Sequence, residues 1–429
     1  MNGDNMSRFI SFVLFAGLTL FAVGAESKVY LDVYGQSYKK ITIAVPPFAS
    51  EEKPRPEISD LLSRDLDMSG FFVVAPRSLM DNGLVGEGMD KRNIKFDQWR
   101  SLGVELLCKA LVQEKDNGFS LEAYLYDASD GSLLFAKRYR ATPSEWRRIV
   151  HRLADEIILT VTGEKGIMSS RVLFVAGDRR HRDVYVADLD GYGPRKLTDQ
   201  RQIVVSPSVS PDGKYLAFTS YKEGRPNLYV VELATNREVY ADRQDGTKVG
   251  SSWMNAKTIA YAHILGKVST IYAANVETKQ RTVLMKKEGI LSSPTFSPDG
   301  TKMVFVSDMH GGPNIFITDL ATGETKRLSY FGNYNTEPAY SPKGDLIAFV
   351  SKTEGALEIC VMRPDGSNAR VLSDGGINDS PQFSPCGRYI LYSSQMGKKT
   401  SIRLMLHNGE NKRELKFTGN EETQPKFMP

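Results

Sequence analysis

The side chains best placed to do chemistry in this chain are polar groups set just ahead of prolines. Asn335, Thr336 and Glu337 precede Pro338, Asn378, Asp379 and Ser380 precede Pro381, and Glu421, Glu422 and Thr423 lie ahead of Pro425. Val205, Ile290 and Ser293 hold the corresponding places ahead of Pro207 and Pro294. Carboxylates and amides in such loops bind basic groups or backbone N–H groups, and carboxylate oxygens also suit calcium. No particular ion cage follows from these acids, so no metal and no cofactor is expected. The five histidines, His151, His181, His263, His310 and His407, are not at metal-ligand spacing from one another. His181, within Arg179-Arg180-His181-Arg182, reads as a solvated hairpin tip. The three cysteines, Cys108, Cys360 and Cys386, are odd in number and widely spaced, which argues against a disulfide scaffold and a zinc site. The chain has no G-x-S-x-G nucleophile elbow, so the nucleophile of an α/β-hydrolase is missing.

The elements that must position these groups come from a repeat. Ser206-Pro-Ser-Val-Ser-Pro-Asp-Gly213, Ser293-Pro-Thr-Phe-Ser-Pro-Asp-Gly300, Thr336-Glu-Pro-Ala-Tyr-Ser-Pro-Lys-Gly344 and Ser380-Pro-Gln-Phe-Ser-Pro-Cys-Gly387 are copies of one segment. From Pro298 the second proline recurs after 44, 43 and 44 residues, at Pro342, Pro385 and Pro429. Pro211 lies 87 residues before Pro298, two periods, with a degenerate copy around Trp253–Asn255. A period in the forties with short alternating strands signals a β-propeller, whose blades bury their faces only against one another. Each unit reads as four strands, for example Ser292–Ser297, Lys302–Ser307, Asn314–Asp319 and Glu324–Leu328, with Asp299-Gly300 as a tight turn. The repeats predict a six-bladed propeller over residues 168–429. Gln424–Pro429 supplies the missing inner strand of the blade begun at Arg171–Ala176, which removes open strand edges. In that geometry the loops entering the inner strands share one mouth. Glu337, Asp379, Glu421 and Glu422 would form an acidic rim there, on loops whose rigid support favours binding. Pro338 restricts Glu337 toward extended backbone.

Length and charge frame the rest. A chain of 429 residues with net charge +4 spread over both signs predicts two domains and no concentrated basic face for nucleic acid. Phe9 to Gly24 is a run of 16 residues, short for a spanning helix, flanked by Arg8 and followed by Ala25. It reads as a signal peptide over residues 1–25, cleaved before Glu26, with no membrane span in the mature, monomeric protein. Residues 26–165 carry no repeat and read as a small α/β domain. Ile41–Val45 is a buried strand, and Pro56–Ser69 an amphipathic helix closed by Gly70. Phe71–Val74, Val104–Val112, Leu121–Asp127 and Leu133–Tyr139 are further strands. A long helix capped by Ser144 ends at Gly163. Ahead of the first strand, Val29, Tyr30, Leu31 and Val33 have the alternation of a segment that pairs along a strand edge of a partner or of its own domain.

With these features in place the chain resembles the TolB family, the periplasmic propeller proteins of the Tol–Pal system. The resemblance rests on the repeated S-P-x-F-S-P-D-G pattern and on several junctions. These are Thr162-Gly-Glu-Lys-Gly-Ile-Met-Ser-Ser-Arg171, Asp188-Leu-Asp-Gly-Tyr192, Asp65-Leu-Asp-Met-Ser-Gly-Phe71, Ile43-Ala-Val-Pro-Pro-Phe48 and Asn335-Thr-Glu-Pro338. It implies a non-enzymatic role in outer-membrane integrity during cell division. A Pal-like peptidoglycan-associated lipoprotein would bind at the propeller mouth. A TolA-like inner-membrane protein would engage the N-terminal segment. The chain departs from the family pattern at Ile290-Leu291 and in Ser251-Ser-Trp-Met-Asn255. A propeller hydrolase, peptidase-like or lactonase-like, is the competing class, and chromogenic aminoacyl or prolyl substrates separate the two.

Overall fold

A computed structural model describes residues 39–51, 54–80, 84, 87–115 and 118–429. The expected leader and the segment with Val29, Tyr30, Leu31 and Val33 lie outside the described residues. No helix among the described residues is long and apolar enough to cross a membrane.

The first domain is one mixed sheet with helices on it. Its strands are β1 (Ile41–Ala44), β2 (Ala49–Ser50), β3 (Phe72–Val74), β4 (Leu106–Lys115), β5 (Gly118–Asp127) and β6 (Leu133–Ala141). The order is β3-β1-β4-β5-β6, with β2 also on β4. β1 runs parallel to both neighbours, and β4-β5-β6 is an antiparallel meander. Helix α1 (Pro56–Ser69) buries Ile58, Leu61, Leu62 and Leu66 on one face and stops where Gly70 turns left-handed at φ 82. A short α2 (Phe96–Ser101), which the sequence reading did not separate, closes a second small core around the buried Trp99. Helix α3 (Trp146–Thr162) ends at Gly163, as its pattern predicts, but Ser144 is not its cap. Thr142 and Glu145 form a reciprocal capping box around a 3-10 turn at Pro143–Glu145 that leads into α3. Thr142 wins because Glu145 stands three residues on, where its carboxylate reaches the Thr142 N–H at 3.1 Å.

The repeat region is a β-propeller. Its inner strands are Val204–Val209, Thr247–Trp253, Leu291–Phe296, Asn335–Tyr340, Ile377–Phe383 and Glu421–Phe427. All of them contribute to the wall of one channel. The strands fall into four four-stranded sheets and one eight-stranded sheet, the latter joined at its middle by the single parallel pair Leu357↔Ile377. The strand Glu421–Phe427 pairs antiparallel with β7 (Arg171–Gly177), giving a sheet whose other members come from the start of the region. The degenerate copy at Gly250–Asn255 keeps the same strand and turn. Asn255 there accepts from the N–H groups of Lys257 and Thr258, as Asp299 accepts from Thr301.

The two domains share a core. One apolar cluster runs from Leu61, Leu66 and Ile157 through Val172 and Phe174 to Tyr389, Leu404 and Phe417. Polar contacts edge it. Tyr389 donates its hydroxyl to Ser69 O at 3.0 Å, and Asn411 Nδ2 donates to Met68 O at 3.0 Å. Glu164 pairs with Lys343 at 2.9 Å and Arg388 at 3.0 Å.

Candidate partner-binding site

The inner strands share a backbone device. Each carries a register shift, a β-bulge, and at each bulge one residue sits in the left-handed region: Ser206, Gly250, Ser293, Glu337, Ser380 and Gln424, with φ between 50 and 64. They recur every 43 or 44 residues. A non-glycine residue there carries a steric cost of roughly 1 kcal/mol or more, so a ring of them marks a constrained wall. This overturns the expectation that Pro338 holds Glu337 extended, since its φ is 51. The bulge, which must aim the strand down the channel, outweighs the pre-proline preference.

Side chains at the bulge tie neighbouring blades together. Gln424 Oε1 accepts from the Ser206 N–H at 2.7 Å, and Glu337 Oε2 accepts from the Ser380 N–H at 2.5 Å. Ser251 Oγ donates to Ser206 O at 3.3 Å. The channel they line holds about 310 Å³. Burial pushes the Glu337 carboxyl up, the neighbouring Asp379 adds to the rise, and the Ser380 N–H and Lys426 oppose it. Asp379 is also pushed up by burial. Burial pushes the Lys426 ammonium down, against the pull of Glu337. Lys426 donates to Gln382 Oε1 at 3.0 Å.

Two residues ahead of the bulge the role is different. Asn335 and Asn378 are 0% and 2% exposed, and Glu422 is 3% exposed. Asn378 Nδ2 donates to Leu357 O, Gly375 O and Glu358 Oε2. Glu422 Oε1 accepts from the N–H groups of Phe417, Thr418 and Gly419. Asn335 Nδ2 donates to Asn314 Oδ1 at 3.3 Å. Asn378 and Glu422 pin the turns that enter their strands, and Asn335 is held by a side chain of the strand Asn314–Asp319. The expected acidic rim is therefore not formed. Glu337 and Asp379 lie in buried surroundings, Glu422 is spent on backbone donors, and Glu421 pairs with Arg182 at 2.6 Å. What the entry loops expose is mixed: the polar Arg201, Gln202, Asn333, Asp374 and Asn420 beside three apolar groups. Ile290 is 38% exposed, Tyr334 41% and Ile377 45%. Val205, Ser293, Thr336, Ser380 and Thr423 are half-buried on the same strands.

Sequence reasoning passed over Gln424 and Lys426, both on the last inner strand. The available signal was positional: Lys426 stands where the other copies have Ser208, Thr295, Ala339 and Gln382. His181 is an exposed turn as expected, its N–H held by Asp178 Oδ1 at 2.8 Å. Cys108 and Cys360 are buried free thiols, both pushed up to about 12 by burial.

Comparison with known proteins decides the family. Residues 29–134 match the model of the TolB amino-terminal domain, and residues 159–429 match that of the TolB beta propeller domain. The chain belongs to the TolB family. It is 32% identical over 316 residues to a Protein TolB homolog of Chlorobium luteolum, covering 73% of this chain and 71% of that one. It is 28% identical over 304 residues to the Tol-Pal system protein TolB of Bordetella parapertussis, covering 70% of this chain and 67% of the relative. The crystal structure of TolB from Acinetobacter baumannii superposes with a TM-score of 0.82 at 23% identity, over 93% of this chain and 99% of that one. That likeness establishes the shared two-domain fold.

Proposed function

We propose that this TolB-family chain is a non-enzymatic, periplasmic component of a Tol–Pal system that holds a Pal-like lipoprotein at the propeller mouth. On this reading residues 1–25 are the export signal, 26–165 the N-terminal domain and 168–429 a six-bladed propeller. The eight-stranded sheet is two blades touching at one residue pair, and the C-terminal strand closes the ring on β7. Residues 26–34, with Val29, Tyr30, Leu31 and Val33, serve a TolA-like partner, which links the inner membrane to outer-membrane upkeep at division. The protein acts as a monomer.

The observation that carries the reading is the mouth itself. Exposed Ile290, Tyr334 and Ile377 stand at the entries to inner strands, and the bulges of those strands line the channel with a ring of left-handed residues. Aromatic and apolar groups on a rigid, concave frame are the composition of a protein-recognition surface. Thr336, Glu337, Asp379 and Thr423 add polar groups within that surface.

Calorimetric titration of the mature protein with a soluble Pal-like domain tests it. Ile290→Asp and Glu337→Ala should each weaken binding about tenfold, equivalent to about 1.4 kcal/mol, without loss of the folded state in a melting curve. Removal of residues 26–34 should abolish TolA-like binding and spare Pal-like binding. Unchanged affinity for the Pal-like domain in both folded mouth variants would remove the mouth from the site.

A further inference from the structure

A second polar cluster lies away from the mouth, where α3 meets the turn after β8 (Arg182–Asp188). His151 is 2% exposed. Its Nδ1 is 2.7 Å from Asp65 Oδ2, and Asp65 lies on the inner face of α1. Its Nε2 is buried without a hydrogen-bond partner. It points toward the first-blade turn, 3.9 Å from Asp190 Oδ2. Asp188 supplies a further carboxylate, and one ligand atom from each of His151, Asp188 and Asp190 lies within 4.8 Å of the others. Asp188 and Asp190 are half-buried, so the cluster is open to solvent on the blade side.

We propose that His151 Nε2, Asp188 and Asp190 form a binding site for one divalent transition-metal ion at the domain junction. The second observation beyond the acids is the buried, partnerless Nε2 aimed between them. Asp65 completes the arrangement typical of a ligating histidine: a carboxylate on the other ring nitrogen fixes the tautomer and orients the ring. One imidazole nitrogen with two carboxylates suits zinc or cobalt, whereas calcium prefers oxygen ligands throughout. An ion with ligands at about 2.0–2.2 Å holds tetrahedral donors roughly 3.4 Å apart. The carboxylates therefore need to close by about an ångström, a side-chain adjustment. A water fills the fourth position.

Arg147 competes for this place. Its guanidinium pairs with Asp190 and lies 4.1 Å over the Tyr192 ring. Ion and guanidinium share Asp190, so removing the arginine charge should tighten the metal. Bound metal would join α3 directly to the first blade.

The test is zinc titration by calorimetry on the metal-stripped mature protein, with cobalt absorption as a second readout of coordination. The expected result is one ion per chain, with affinity lowered at least tenfold in Asp188→Asn and in His151→Gln, and raised in Arg147→Gln. Zinc should also raise the melting temperature of the wild type and not that of Asp188→Asn. Should His151→Gln fail to fold, the half-buried Asp188→Asn decides alone. Absence of saturable zinc uptake, or uptake that Asp188→Asn leaves unchanged, overturns the site. So does an Arg147→Gln protein that binds zinc no more tightly than the wild type.

Discussion

Glu337, Asp379 and Lys426 act on one another inside the channel because three copies of one repeat place them at neighbouring points of the wall. Asp65, His151 and Asp190 meet because α1, α3 and a blade turn, unrelated in sequence, cross at one place. In the channel the acids outnumber the base, and burial pushes both carboxyls up. At the junction His151 faces Asp65, and Arg147 faces Asp190, so each acid has a nearby basic partner. Repetition thus yields a wall that carries charge in strained, buried geometry. Domain packing yields a cluster that is compensated, buried at Asp65 and His151 and open at Asp190. The first arrangement suits a rigid wall behind the mouth, and the second suits holding two domains in one relative position.

The largest effect on both regions should come from deleting residues 424–429. That removes Lys426, and it strips most of the inner strand from the sheet that carries Asp188 and Asp190. We expect loss of cooperative melting or a fall in Tm of more than 10 °C, on the order of 3 kcal/mol or more. A transition like that of the full chain would separate the two regions and break the comparison.

Next comes a pair of glycines. Gly250 has φ 64, and a Cβ on it would lie 2.9 Å from Ser293 backbone atoms, whereas Gly300, at φ 70, has open space around its Cβ position. Gly250→Ala should cost about 2–3 kcal/mol and Gly300→Ala about 1 kcal/mol in chemical denaturation. Equal costs would mean that the bulge ring is not tightly packed.

Tyr389→Phe probes the junction. It removes a buried hydroxyl from Ser69 O and should cost about 1–2 kcal/mol.

The pH dependence probes the channel. Folded Glu337 and Asp379 hold protons more tightly than their ordinary values of 4.5 and 3.8. Stability from their protonation is therefore complete below the ordinary carboxylate range and is lost as pH rises through the raised folded values. Glu337→Gln should flatten this decline between acid and neutral pH and leave the variant more stable than wild type at pH 7. An unchanged slope would place the titration elsewhere.

The smallest effect should be Arg413→Ala. It breaks a 2.6 Å pair with Asp67 whose side chains are 31% and 51% exposed, worth roughly 0–1 kcal/mol.

By itself the sequence determined the propeller, the α/β domain ahead of it and the helix ends at Gly70 and Gly163. The reason is that hydrophobic period, turn glycines and repeat length are local properties that each segment expresses alone. It also placed Glu337 and Asp379 on inner strands. Three things were decided only by tertiary structure. Glu337 takes a left-handed backbone because the bulge in its strand overrides Pro338. Asn335, Asn378 and Glu422 are buried anchors and not rim groups, because packing sets Asn335 against the Asn314 side chain and Asn378 and Glu422 against backbone groups of the turns before their strands. His151 faces Asp65 and Asp190 across 86 and 39 residues of chain because helices and blade pack there, and no spacing rule in a sequence encodes a meeting of three separate elements.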